Sequence, residues 1–312
     1  MSDHFLSHSN SFGFEMGKDA AGCRAFNRNF IVGGVIMQPS MTGVGKTIRM
    51  NRIFKDGKAV MVAVNHGISL GPIDGINHLE QLFSKVLARK PDSLTIHKGI
   101  AMRFCDMLPA ETSLLLKVTN ASLYFSPEEM DIATVHEAAL LGADAIAIGL
   151  SLCGPGEPDE IQRAARMVQA AEAIGMPTVA HSYPCGSYLK DTERYDIKNV
   201  SYAVRVAQEL GIDIIKTYWT GSADTFAKAV ELGAPAKVVI SGGPRCATLR
   251  ACFEMTKSGM DAGAAGITYG RNIWQHPYPD AVVAGLQEIV HNGATVDQAM
   301  EAAETLSGCH LE

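Results

Sequence analysis

Three segments in a row, MPTVAHSYPCG (176–186), SYAVRVAQELG (201–211) and IDIIKTYWTG (212–221), read as strand, helix, strand. The outer two are short apolar runs that end in polar residues and Gly, the pattern of strands buried on both faces. The middle one carries apolar residues at spacings of three and four and stops at Gly211, where glycine favours a helix C-terminus. A helix between two such strands forces them parallel through a right-handed crossover, in a sheet covered by helices.

The same unit recurs along the chain. Apolar runs stand at AVMVAVNHG (59–67), SLTIHKG (93–99), SLLLKVTN (113–120), AIAIGLSLCG (145–154), AKVVISGG (236–243) and AAGITYGRN (264–272). With the two quoted first they make eight, and helical segments such as INHLEQLFSKVLARK, DEIQRAARMVQAAEAIG and LRACFEMTKSGMDAG lie between them. Eight consecutive units close into a (β/α)8 TIM barrel. The alternative, a doubly wound open sheet, would carry a G-x-G-x-x-G turn after its first strand, and HGISLGPIDG (66–75) is not one.

Residues 1–47 read as a partly irregular N-terminal extension and 48–312 as the barrel. Residues 1–30, rich in Ser, His, Asn, Phe and Gly, suit a disordered or docked segment and carry no assigned chemistry. GVGKT (43–47) resembles part of a phosphate loop, but the full motif needs Gly where Ser40 stands. A turn before a short lead-in strand is expected there instead.

The 312 residues carry a net charge of −6, with Lys and Arg scattered, which points away from nucleic acid and anionic membranes and towards small-molecule work. Seven cysteines, none in a C-x-x-C pair, suggest reduced thiols in the cytoplasm, with no disulfide framework or metal site. The absence of an apolar leader pattern in residues 1–30 and of any apolar stretch near 20 residues suggests a soluble, unprocessed chain. No cofactor is implied.

Catalytic groups of such a barrel gather at the C-terminal ends of its strands. The polar residues there are Asn65, Lys98, Lys117, Ser151, Tyr183, Lys216, Gly242 and Gly270. Lys216 follows Ile214 and Ile215, and a lysine drawn into an apolar strand loses its charge more readily, which makes it a nucleophile for carbonyl carbon. A lysine whose head reaches solvent, or pairs with a buried acid, fits the same pattern. Tyr183 ends the preceding strand and can move protons beside that amine. His181, two residues earlier on the same face, is either a core histidine bonded to backbone or a catalytic base. Lys98 and Lys117 are further Schiff-base candidates or positive charges that depress Lys216. Lys98 is the better candidate for the site, and Lys117 could equally fill the interior and pair with an acid. Ser241, Gly242 and Gly243, with Gly270 and Arg271, form two glycine turns and a guanidinium after the last two strands, a place for phosphate.

These motifs, NHGISLGPIDGI, HKGI, LKVT, SYPCG, IIKTYWTG, ISGGP and AAGITYGRNIWQ, resemble the archaeal-type class I aldolases over about residues 48–303. That family includes fructose-bisphosphate aldolases, 2-amino-3,7-dideoxy-heptulosonate synthases and autoinducer-2-processing thiolases. The resemblance implies a Schiff base at Lys216, proton donation by Tyr183, phosphate binding at Gly242, Gly243, Gly270 and Arg271, and a homo-oligomeric ring, often a decamer. Asn65 stands where the family usually has Asp, Cys185 where it has Arg, and His181 where sugar aldolases tend to have Trp. The proton-transfer role then falls to Tyr183, His181 or His66, or the reaction differs. Aldol chemistry on a phosphorylated carbonyl, thiolase-like acyl transfer, and a sugar-phosphate-binding barrel with altered catalysis all remain open at this point.

Overall fold

The computed structural model describes residues 40–311 and one short antiparallel pair, Ile31–Val32 with Val35–Ile36. The expected extension over residues 1–30 lies outside the described residues. Pro39–Glu312 form one compact unit.

Among the described residues, eight parallel strands close into a barrel in chain order. They are β1 (Ala59–Ala63), β2 (Ser93–Ile96), β3 (Ser113–Lys117), β4 (Ala145–Leu152), β5 (Thr178–Pro184), β6 (Ile214–Tyr218), β7 (Lys237–Ser241) and β8 (Gly266–Tyr269). Each falls within one of the eight apolar runs. Closure is made by β8 on β1, with Gly266 opposite Ala59 and Tyr269 opposite Val62, which excludes the open sheet.

The helices are α1 (Met41–Ile53), α2 (Leu79–Val86), α3 (Lys98–Phe104), α4 (Val135–Leu140), α5 (Glu157–Glu172), α6 (Ile197–Glu209), α7 (Ala223–Gly233), α8 (Leu249–Asp261), α9 (Pro279–Asn292) and α10 (Val296–Ser307). Strand residues alternate between two cores. Met61, Leu115, Ala147, Val179, Ile214 and Val239 fill the lumen, and Ile53 and Phe54 close its floor. Val60, Val62, Leu116, Ile146, Ala180, Ile215 and Ile240 face outward into the layer shared with the helices.

GVGKT departs from expectation: it lies inside α1 and no lead-in strand forms there. Ser40 caps the helix by accepting from the Gly43 N–H at 3.1 Å. The cations in and just after α1 then meet acids that precede the strands: Lys46 with Asp213 at 3.0 Å, Arg52 with Asp144 at 3.1 Å and Lys55 with Asp92 at 2.9 Å. Each acid also accepts a backbone N–H from the neighbouring strand or its approach, Thr178 at 2.9 Å, Leu114 at 3.3 Å and Val60 at 2.7 Å respectively. Together these three pairs tie the floor of the barrel to α1 and the residues just after it.

Asp92 is 1% exposed. Burial alone would raise its pKa, but the bonds from His291, the Val60 N–H and Lys55 outweigh that and hold it below the ordinary carboxylate value. Its contribution to stability is therefore present above the unfolded-state value and lost as pH falls through the folded one. Asp92→Asn should lower the unfolding free energy at pH 7 by about 1–3 kcal/mol in urea titrations. The gap to wild type should narrow as the pH is taken below the carboxylate range.

Candidate active site

Counting by two up each strand from the lumen core leads to the mouth. On β5 the inward series is Val179, His181, Tyr183, on β6 it is Ile214, Lys216, and on β3 it is Leu115, Lys117. The register sets His181 between Lys216 on one side and Gly149 of β4 on the other. Three adjacent strands thus bring Lys216, His181 and Gly149 to one level.

Lys216 is 5% exposed. Burial, followed by the charges of Lys117 and Arg271, brings its pKa down from 10.5 to about 7. A lysine in that state is substantially a free amine at neutral pH and can attack a carbonyl. Tyr183 donates to the Ser241 hydroxyl at 2.9 Å, and its ring stacks on Tyr218 with centroids 4.3 Å apart. Burial, reinforced by Tyr218, pushes the Tyr183 phenol well above 10. It is therefore a fixed, protonated group two residues beyond the strand neighbour of Lys216. Ser241, expected at the phosphate, orients this phenol.

Three histidines join them. Burial, then the charges of Lys216, Lys117 and their neighbours, holds His181 well below 6.5. Burial, then Lys216 and Arg271, brings His66 to about 3. His97, which the sequence reading passed over, falls to about 4 through burial and then Lys117. All three are neutral imidazoles and weak bases. His181 Nε2, His66 Nδ1, His97 Nε2 and Asn65 Oδ1 have no hydrogen-bond partner among the described residues. Buried polar atoms of this kind are ordinarily satisfied, so a polar ligand in the mouth has partners waiting.

The turns after β7 and β8 lie against one another. Asn272 joins them, donating to the Gly242 carbonyl at 2.8 Å and accepting from the Cys246 N–H at 2.7 Å. Gly243 adopts φ +61, a conformation few other residues take, and has no atom near its Cβ direction, so the backbone there is open. Arg271 begins the short helical turn Arg271–Trp274, and its Nε is buried without a partner among the described residues. Its charge reaches Lys216, His66, Tyr183 and Tyr218. Gly242, Gly243, Gly270 and Arg271 thus edge one side of the mouth. A cation also stands near Cys185: Arg194 acts on the Cys185 thiol, which burial raises, from the turn Asp191–Tyr195.

Lys98 is not brought to Lys216. It lies one residue past the inward position of β2, which is His97, and its ammonium pairs with Glu137 at 2.7 Å. The lysine that enters the mouth is Lys117, 1% exposed and paired with Glu129 at 2.9 Å. Glu129 was also missed. Its loop gave no periodic signal, although a buried lysine beneath it called for an acid.

Residues 59–276 match the DeoC/LacD family aldolase profile. The chain belongs to the DeoC/LacD family of aldolases. The aldolase is 35% identical over 266 residues to a 2-amino-3,7-dideoxy-D-threo-hept-6-ulosonate synthase of Halobacterium salinarum, spanning 84% of this chain and 98% of the relative. It is 34% identical over 258 residues to a class 1 fructose-bisphosphate aldolase of the same organism, spanning 80% of this chain and 96% of the relative. Among solved structures, an archaeal fructose 1,6-bisphosphate aldolase superposes with a TM-score of 0.73 at 28% identity, covering 80% of this chain and 100% of that one. Another, whose catalytic Lys is covalently bound to the carbinolamine intermediate of its substrate, gives 0.72 at 28% identity, covering 78% and 99%.

In this aldolase Lys117→Met should raise the pKa of Lys216, because it removes a positive charge and leaves Glu129 to favour the ammonium. Reductive alkylation at Lys216, followed by mass spectrometry across pH, should show a midpoint near pH 7 in the wild type. In the variant the midpoint should move to higher pH, with slower labelling at neutrality.

Proposed function

We propose that Lys216 is the Schiff-base lysine of a class I aldolase acting on a phosphorylated ketone or ketose. One observation carries this reading: Lys216, a buried amine, stands opposite His181 in the barrel wall, and two residues up the strand of His181 the Tyr183 phenol is fixed by its bond to Ser241. The amine adds to the substrate carbonyl, and Tyr183 supplies the proton with which hydroxide leaves the carbinolamine as water. The iminium draws the electron pair of the adjacent C–C bond on cleavage, and as the enamine it returns that pair to an aldehyde on condensation. Gly242, Gly243, Gly270 and Arg271 supply N–H groups and a guanidinium for the phosphate. Asn65, His66 and His181 present neutral polar atoms to the substrate's hydroxyls. The fructose bisphosphate and heptulosonate chemistry named for the relatives sets the range of substrates to try first.

A cytoplasmic homo-oligomer belongs to the same reading. No helix among the described residues is long and apolar enough to cross a membrane. Exposed Met102, Tyr124 and Phe125 offer apolar surface for self-association.

Borohydride with dihydroxyacetone phosphate should leave a stable adduct on Lys216, forming faster as pH rises through about 7 because the free amine is the reactive form. Tyr183→Phe should retain the fold and lower turnover by about 10²–10⁴-fold. The absence of any adduct with ketose or ketone phosphates would overturn the assignment, and products that depend on coenzyme A would point to acyl transfer instead.

A further inference from the structure

An aldol cleavage needs a group to take the proton of the β-hydroxyl as the C–C bond breaks. Asn65 carries an amide, which is not a base. Tyr183 holds its proton in a bond to Ser241, and His66, His97 and His181 face a ring of positive charge from Lys216, Lys117 and Arg271. Among the described residues, the carboxylate that reaches into this set is Glu129.

The chain delivers it deliberately. After β3 the residues Thr119–Asn120 pair antiparallel with Met130–Asp131, folding the intervening loop back towards the mouth. The Glu129 N–H is held by Glu160 at 2.8 Å, and Glu160 by Arg163 at 2.8 Å. Glu129 Oε2 then accepts from Lys117 Nζ at 2.9 Å and from the Thr119 hydroxyl at 2.6 Å. Thr119 Oγ1 is fixed in turn by the Gly149 N–H at 2.7 Å. Gly149 is what admits the carboxylate: a Cβ there would fall on the Glu129 carboxyl group. Gly149 lies level with His181, and His181 with Lys216. At the usual strand spacing the carboxylate therefore enters the lumen about 10 Å along the wall from the Lys216 backbone, a span that a lysine stem and a short substrate can bridge. Oε1 takes no hydrogen bond from the described residues and is available to a ligand.

We propose that Glu129 is the general base of the carbon–carbon bond step, with Lys117 and Thr119 as its positioning residues. The proposal rests on the Schiff-base reading above. In cleavage, the β-hydroxyl proton passes to Glu129, the O–H electron pair becomes the π bond of the aldehyde, and the C–C bond breaks. Its pair forms the enamine and neutralises the iminium nitrogen. In condensation the protonated Glu129 returns the proton to the new alkoxide oxygen.

The test is Glu129→Gln in the full chain, with three readouts at each variant's own pH optimum. These are borohydride trapping of dihydroxyacetone phosphate on Lys216, solvent deuterium uptake at its carbon, and cleavage of fructose 1,6-bisphosphate. Imine formation and deuterium uptake bypass the β-hydroxyl and should stay within about threefold of wild type, while cleavage falls about 10²-fold or more. Gly149→Ala, which displaces the carboxylate without altering its chemistry, should give the same split. Full cleavage by Glu129→Gln overturns the proposal, as does an equal fall in all three readouts, which would mark a merely structural role. Wild-type chain that neither traps nor cleaves these compounds overturns the Schiff-base substrate reading, and the inference with it.

Discussion

The mouth is organised by the difficulty of keeping a positive charge on a lysine inside a closed barrel. Among the described residues no acid pairs with Lys216, and Lys117 and Arg271 add like charge to the burial, so the amine sits near a pKa of 7 rather than 10.5. At about 1.4 kcal/mol per pH unit, that shift costs the fold on the order of 5 kcal/mol. The cost applies in full below pH 7 and is relieved as pH rises towards the unfolded-state value. On the proposed reading the rest of the barrel carries this burden so that a nucleophile is available without a separate base to deprotonate it.

The two ends of the barrel divide that work. At the floor the acids have partners: the buried Asp92 and the half-buried Asp144 and Asp213 each meet a cation from in or near α1 and an N–H of the adjoining strand or its approach. At the mouth, Asn65, His66, His97, His181 and Arg271 keep polar atoms without partners among the described residues. Satisfied polar groups stabilise, and unsatisfied ones recognise. For these charged, amide and imidazole groups the contrast follows the strand direction, as expected of a parallel barrel whose chemistry sits where the strands end, although the Ser93 and Thr112 hydroxyls near the floor also lack partners among the described residues.

The fold was legible because it rests on periodicity, and eight two-faced apolar runs leave few ways to close. Lys216 and Tyr183 were legible for the same reason, being polar where the pattern demands apolar residues. Lys98 and His97 show how thin that margin is. A period of two means that an error of one residue exchanges a lumen position for an outer one. GVGKT was misjudged because its glycines suggest a turn, whereas Ser40 capping and the burial of Ile53 under the barrel make a helix worth forming. Glu129 was out of reach for a different reason. It is placed by a loop, a distant Glu160–Arg163 pair and the missing side chain of Gly149, and such tertiary coincidences leave no local signature.

Charge also links the two halves of the mouth. Arg271 makes the ammonium form of Lys216 less favourable, and on the proposed reading it meets a substrate phosphate. A phosphate there opposes the field of Arg271 at the moment the free amine is converted to an iminium cation. The arginine therefore keeps the amine neutral before substrate arrives, and its own charge is balanced once the nitrogen becomes positive. The same field suppresses His66 and His181 as bases, so a mouth built to activate an amine is poorly suited to proton abstraction by imidazole. The carboxylate of Glu129 meets the same field through a direct bond: Lys117 Nζ donates to its Oε2 at 2.9 Å, so the charge that suppresses the histidines also fixes where the carboxylate stands in the lumen.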